Sequence, residues 1–354
     1  MKIPAEYHLP DSYQVVVCEE CGLVFADTTA SMEDYEWYYT NCNFYGDCSK
    51  DDNRLRFEQT QELLENHISK NAVILEMGAG NGRFSIALKK HGYVHVTATD
   101  PSEDSVRLLQ AAGIPSYVSS IYEKVPIEES AKYDGIFLFE VAEHLLLPGK
   151  GIENVTKMLK QDGVFIISVP DYSLVGEELN SIANYFNLEH INYFSEASLD
   201  YLLALHGMKR IDQKRVGIDL IQVYQKVNEV QPLNKDTVTE MAVRTYFQRQ
   251  HKKEAWIAGL IEDLRKEEKE LLIWGTGSYV MRLLATTTLL QCKIQGFIDN
   301  NRIKQGRSIY GYQIYPPEYL KHKKCTVLIC SMLYGNEIRH QLEQMQTKNE
   351  IIVL

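Results

Sequence analysis

The 354-residue sequence holds no apolar run near the roughly 18–20 residues that a membrane-spanning helix needs, which argues against a membrane protein. Its opening stretch, MKIPAEYHLPDSYQ, lacks the apolar core of a secretory signal, so the expected location is cytoplasmic. Seven cysteines in that setting should stay reduced, which argues against a disulfide framework. Basic residues are short, 37 against 48 acidic for a net charge of -11, which disfavours binding nucleic acid by bulk charge. A small anionic substrate held by a local basic pocket remains compatible. There is no low-complexity tract and no short internal repeat, hence no sign of a solenoid or a disordered chain. What is present is an ordinary globular balance, 45% apolar and 24% charged, over a length that calls for two or three domains. The 22 tyrosines, twice the 11 phenylalanines, are expected mainly at amphipathic core edges.

From Ala72 to Ser168 strand and helix patterns alternate. AVILEMG is a strand apolar on both faces, followed by glycines and a helix, FSIALKKHG. YVHVTATD, SEDSVRLLQAAG, PSYVSS, YDGIFLFEV, GKGIENVTKMLKQDG and VFIISVP continue the rhythm, which calls for a parallel sheet covered by helices on both faces. After Pro170 comes a polar aromatic segment to Phe194 and a helix, SEASLDYLLALHG. Two strands split by Gly217 then predict an antiparallel hairpin that closes the sheet. A charged helical stretch, about Lys235 to Glu270, precedes a second, smaller α/β unit built on ELLIWG, GTGSYVMRLLATT, KIQGFIDN, CTVLICS and EIIVL. The first fifty residues read as irregular and aromatic.

The first glycine turn runs Glu76-Met77-Gly78-Ala79-Gly80-Asn81-Gly82, after a buried strand and at the start of a helix. Glycines there let a ligand approach the backbone, and the carboxylate ending the next strand, Asp100, can accept both hydroxyls of a ribose. An acidic residue ahead of the turn suits a cofactor with a cationic part and would repel a pyrophosphate. These residues resemble the class I S-adenosylmethionine-dependent methyltransferases. YDGIFLFEVAEHL resembles that family's fourth strand and following turn, and DGVFIISVPD its fifth strand. The resemblance implies a Rossmann-like core with a mostly parallel seven-stranded sheet and an antiparallel last strand. It also implies S-adenosylmethionine as cofactor, with Glu76, Gly78, Gly80 and Gly82 beside its methionine part and Asp100 on its ribose. The acidic residue that many relatives carry after the third strand is absent from Ser119-Ser120-Ile121-Tyr122-Glu123, where Ser120 or a backbone amide stands in.

The acceptor site is sought in NLEHINYFSEASLDYLL, after the fifth strand, where His190 is a candidate base and Glu189 its partner. A second pair, Glu143-His144, follows the fourth strand and reads as structural or cofactor-adjacent. A cysteine-bearing lead, a methyltransferase core and a C-terminal Rossmann-like unit together resemble the sugar C-methyltransferases. That resemblance implies a keto-sugar or nucleotide-sugar substrate, with His190, or a water it holds, removing a proton beside the ketone to give an enolate, and Glu189 assisting. Asn187 stands where the family carries a tyrosine. The alternatives are O- or N-methylation of another small metabolite, a dehydrogenase using the second glycine turn, and a non-catalytic nucleotide-binding scaffold.

The expected domains are a truncated cysteine-bearing module over 1–52, a methyltransferase domain over 53–230, a helical linker over 231–268 and a Rossmann-like domain over 269–354. Cys18 and Cys21 have the spacing of half a zinc knuckle, and the family carries two such pairs. Cys42 and Cys48 complete it poorly, so no metal site is assigned. Cys292, Cys325 and Cys330 read as small core residues. Gly275-Thr276-Gly277 with Asp299 lacks a third glycine, since Val280 stands there, and reads as part of a packing or substrate-covering unit. Partners are thus a small-molecule substrate, with no nucleic acid and no membrane.

Overall fold

The computed structural model describes residues 9–10, 12–41, 52–123, 132–175, 186–229, 231–331 and 334–354. Contacts divide the chain into two compact units, with the boundary between Val243 and Arg244.

The first unit is built on a seven-stranded sheet of β3 (Val73–Met77), β4 (His95–Asp100), β5 (Ser116–Val118), β6 (Tyr133–Phe139), β7 (Leu159–Pro170), β9 (Met208–Val216) and β10 (Asp219–Lys226). The order is β5-β4-β3-β6-β7-β10-β9. The first five of these in space run parallel, and β10 is antiparallel to both β7 and β9. This is the expected Rossmann-like α/β sheet with its closing hairpin. Strand alternation sorts its side chains. Leu75, Ile136, Leu138, Phe165 and Ile167 face one apolar layer, with α5 (Pro148–Met158) and α6 (Glu196–Leu205). Ile74, Phe137, Val164 and Ile166 face the other, with α2 (Asp52–His67) and α3 (Arg83–Lys90). The helix α4 (Glu103–Ala111) starts at an N-cap, Ser102. Residues 159–162, expected to end a helix, instead begin β7, where Leu159 pairs with Tyr133.

The lead is not irregular. β1 (Gln14–Val17) and β2 (Val24–Asp27) form a hairpin, and β2 pairs with β8 (Asn192–Tyr193) in a three-stranded sheet. The helix α1 (Met32–Asn41) follows. The alternating strand pattern of the hairpin is too short to stand out beside its cysteines and aromatics, and its partner strand lies far along the chain. Cys18 and Cys21 are thiols in the hairpin turn, and Cys42 and Cys48 lie outside the described residues.

Asp236 ties three pieces of this unit together. Its N–H donates to Cys21 O at 2.8 Å, and its carboxylate accepts from Ser195 Oγ at the start of α6 and from Thr239 Oγ1 at 2.6 Å at the start of α7 (Thr239–Lys266). Gly22, with φ +80, packs so closely there that a Cβ would lie 2.0 Å from Asp236 O.

The second unit has the order β13-β14-β12-β11-β15-β16. β11 (Glu270–Trp274), β12 (Lys293–Ile298), β14 (Tyr312–Tyr315), β15 (Thr326–Ile329) and β16 (Glu350–Val353) are parallel, and β13 (Ser308–Ile309) is antiparallel to β14. α8 (Ser278–Thr286) and α9 (Gly335–Gln344) complete it. Among the described residues no helix is long and apolar enough to cross a membrane.

Asp236→Ala should lower unfolding free energy by roughly 2–3 kcal/mol, several hydrogen bonds at about 1 kcal/mol each. Urea titration reads this, and an unchanged midpoint would mean that Asp236 is not the tie described.

Candidate functional site

The carboxyl ends of β3, β4 and β6 open onto a cavity of about 480 Å³, the place where a parallel α/β sheet binds ligands. Glu76, Gly78, Gly80 and Asp100 line it. Gly78 and Gly80 take φ of +70 and +54, so the chain turns away from the sheet in a conformation that favours glycine. A Cβ on Gly78 would sit 2.5 Å from Val141 Cγ2, whereas the Cβ direction at Gly80 is open space. Gly82 does not line the cavity. It begins α3 with φ +75, and a Cβ there would meet Leu109 at 2.4 Å, so its role is helix packing.

Glu76 is 4% exposed and accepts a hydrogen bond from Ser85 Oγ. Burial raises its pKa to about 7, against the opposing hydrogen bonds from Ser85. Asp100 accepts from Gly80 N at 2.8 Å on one oxygen and from Ser102 N at 2.9 Å on the other, and burial raises its pKa also. Each oxygen keeps a lone pair for a ligand hydroxyl. Ser119 and Ser120 also line the cavity, at the edge expected to receive an adenine.

The rest of the lining was less visible in the sequence. Met32, Tyr35, Glu36 and Tyr39 of α1 form part of it, together with Glu140, His144 and Leu145. The tyrosine surplus thus serves this lining as well as core edges. Glu140 takes φ +55 just beyond β6, a conformation costly for a residue with a Cβ. Ser168 Oγ donates to its carboxylate at 2.7 Å. A charged residue at the end of a parallel strand was the available signal for it.

His190 and Glu189 are not among the residues lining the cavity; His144 is. Behind His144 the predicted pair is brought into one cluster with it. The ring centroids of His144 and His190 are 4.8 Å apart, and Tyr39 packs edge-on against His144. His144 Nδ1 lies 3.0 Å from Glu189 O, and burial lowers the His144 pKa, holding the ring neutral. His190 Nδ1 lies 2.9 Å from Tyr172 Oη, and Tyr38 Oη donates to the Glu189 carboxylate. A tyrosine from the short helical turn after β7 and one from the lead therefore flank the pair, while Asn187 caps the turn by accepting from the N–H of Glu189 and His190 at 2.8 and 2.9 Å.

In the second unit, a Cβ on Gly275 would lie 2.7 Å from Cys330 O, so this glycine answers a packing need. Asp299 accepts from Thr276 and pairs with Lys304 at 3.3 Å.

Residues 50–213 match the family model described as a methyltransferase domain, and residues 267–353 match one described as C2185-like, N-terminal. The chain is similar to ribosomal protein L11 methyltransferase of Dictyoglomus turgidum, 29% identical over 35% of this chain and 40% of that protein. It is similar to ubiquinone biosynthesis O-methyltransferase of Colwellia psychrerythraea, 25% identical over 46% of this chain and 70% of that protein. The chain thus spans well under two thirds of the first relative's length. Among solved structures it resembles the Burkholderia thailandensis 1,6-didemethyltoxoflavin-N1-methyltransferase bound to S-adenosylhomocysteine, with 20% identity, TM-score 0.42, and coverage of 60% of this chain and 98% of that one. The first unit carries a class I S-adenosylmethionine-dependent methyltransferase domain, whose cofactor is S-adenosylmethionine. The lining offers groups of the kind that cofactor needs: the carboxylates of Glu76 and Asp100 and the open backbone at Gly80.

Glu76 gives this fit a pH signature. A proton on Glu76 removes its attraction for an ammonium, so affinity falls as pH drops through about 7. Calorimetry with S-adenosylhomocysteine should show binding roughly tenfold weaker at about pH 6 than at about pH 8, the ratio of ionised Glu76. Glu76→Gln should flatten that dependence. An unchanged slope in the variant would remove Glu76 from the ammonium site.

Proposed function

We propose that this chain is an S-adenosylmethionine-dependent methyltransferase acting on a small-molecule acceptor. The observation that carries the reading is one cavity lined by Glu76, Gly80 and Asp100 and also by His144 and the α1 tyrosines Tyr35 and Tyr39. Bound S-adenosylmethionine supplies an electrophilic methyl group on a sulfonium. The protein's part is to hold that methyl in line with a nucleophile, exclude water and take up a proton. Asp100 and the glycine turn fix the donor. Tyr35, Tyr39 and Leu145 form the cover over the acceptor end. His190, or a water it holds, takes the acceptor proton, with Tyr172 orienting its ring and Glu189 beside it.

The finer proposal is a keto-sugar or nucleotide-sugar acceptor methylated on the carbon beside its ketone. Its support is the sequence resemblance to sugar C-methyltransferases and the recruitment of Tyr172 and Tyr38 to the Glu189-His190 pair, which replaces the tyrosine missing at Asn187. A second reading, methylation of oxygen, draws support from the similarity to ubiquinone biosynthesis O-methyltransferases.

Incubation with methyl-labelled S-adenosylmethionine and a panel of keto- and hydroxy-sugar nucleotides tests both. Label on carbon is expected; label on oxygen would favour the second reading, and no label on any sugar would remove the sugar proposal. His190→Gln should lower kcat by roughly 10²-fold, a typical contribution of proton transfer, with S-adenosylhomocysteine affinity unchanged. Full turnover in that variant would overturn the assignment.

A further inference from the structure

The side chains of Glu143, His144 and His190 offer a carboxylate oxygen and two imidazole nitrogens whose ligand atoms all lie within 4.8 Å of one another. We propose that this trio is a binding site for a divalent transition-metal cation at the acceptor end of the cavity.

The distances suit an ion. Two ligands each about 2.1 Å from a tetrahedral metal stand roughly 3.4 Å apart, so from a spread within 4.8 Å the side chains close by up to about 1.4 Å when an ion binds. The Glu143 Oε1 to His144 Nε2 separation is 3.8 Å, a few tenths of an ångström above that figure. The donor set, two imidazoles and a carboxylate, is one that zinc, iron, cobalt and manganese accept.

The outer contacts are those a metal site requires. A ligating imidazole commonly donates its second nitrogen to a carbonyl or similar acceptor, which fixes the tautomer. His144 Nδ1 meets Glu189 O in this way, which places Nε2 toward Glu143. His190 Nδ1 meets Tyr172 Oη, so an ion would be met by Nε2. The two ligand-bearing segments are also stitched into fixed register. Ile191 N donates to Glu143 O at 2.7 Å, and Asn192 Nδ2 donates to Ala142 O and Leu145 O at 3.1 and 2.7 Å. Asn192 is 4% exposed and Glu143 1% exposed, so these are interior constraints. His144 alone of the three lines the cavity, and gives the ion its access to acceptor.

The chemistry rests on the methyltransferase reading, whereas binding of the ion does not. A cation here would acidify a bound water, whose proton passes to bulk solvent. The resulting hydroxide takes the acceptor proton and becomes water. The acceptor atom keeps the electron pair and forms the new bond to the methyl carbon, and the sulfur leaving that carbon keeps the S–C pair. The water that His190 holds is then the metal's.

The test uses the full chain carrying Cys18→Ser and Cys21→Ser, so that the cysteine pair cannot bind metal, stripped by chelator and titrated with Co²⁺ alone. One equivalent should bind with visible d–d absorption, and Zn²⁺ should displace it. Glu143→Gln and His144→Gln should each weaken binding by at least about tenfold, and Tyr172→Phe, which keeps all three ligands, by a smaller factor. S-adenosylhomocysteine binding retained by these variants shows that they fold. Absence of a stoichiometric Co²⁺ site, or affinity unchanged in both ligand variants, overturns the proposal. Co²⁺ bound by a protein that binds no S-adenosylhomocysteine would sustain the metal site and remove the methyltransferase reading.

Discussion

A carboxylate buried to 4% exposure at the end of a parallel strand sets the terms for the rest of the first unit. Glu76 cannot retreat into solvent, because the chain beyond it bends left-handed at Gly78 and is closed over by Val141. Burial therefore raises its pKa to about 7. The same bend exposes the backbone at Gly80 and lets Gly80 N–H donate to Asp100, so the turn after β3 also holds the carboxylate that ends β4.

The acceptor end depends on a different device. Residues 187–194 carry Glu189 and His190 but are not among the residues lining this cavity. They are held from two sides. The lead contributes β2, which pairs with β8, and α1, whose Tyr35 and Tyr38 reach Leu188 O and the Glu189 carboxylate. The turn after β6 contributes Glu143 O and His144. A histidine cluster under a tyrosine roof is thus built from three stretches of sequence that lie far apart. It is held by the backbone pairing of β2 with β8 and of Ile191 with Glu143, and by side-chain bonds from Tyr35, Tyr38 and His144.

The sheet and the donor end were legible because their signals are local. A run apolar on both faces means a buried parallel strand, glycine at Gly78 and Gly80 means a left-handed turn, and an acid ending the next strand falls where the sheet opens. Gly82 shares the motif yet serves packing against Leu109, since a glycine's spacing does not say which neighbour needs the room. The acceptor end was only half legible. His190 and Glu189 were visible as an unusual pair, but the histidine that lines the cavity is His144, which read as structural or cofactor-adjacent. The roles of Tyr35, Tyr39 and Tyr172 follow from contacts between distant segments, and the short hairpin of the lead has too few residues for a period to show. No pattern along a single chain encodes those meetings.

The central claim is that one cavity holds the methyl donor against the glycine turn with its reactive end toward His144 and α1. A crystal structure of the full chain with S-adenosylhomocysteine tests it most directly. The account predicts the ligand's amino group against Glu76, its ribose on Asp100, and its sulfur facing the wall formed by Tyr39 and His144. Ligand density at the Gly275–Asp299 turn of the second unit, with the first cavity vacant, would contradict it.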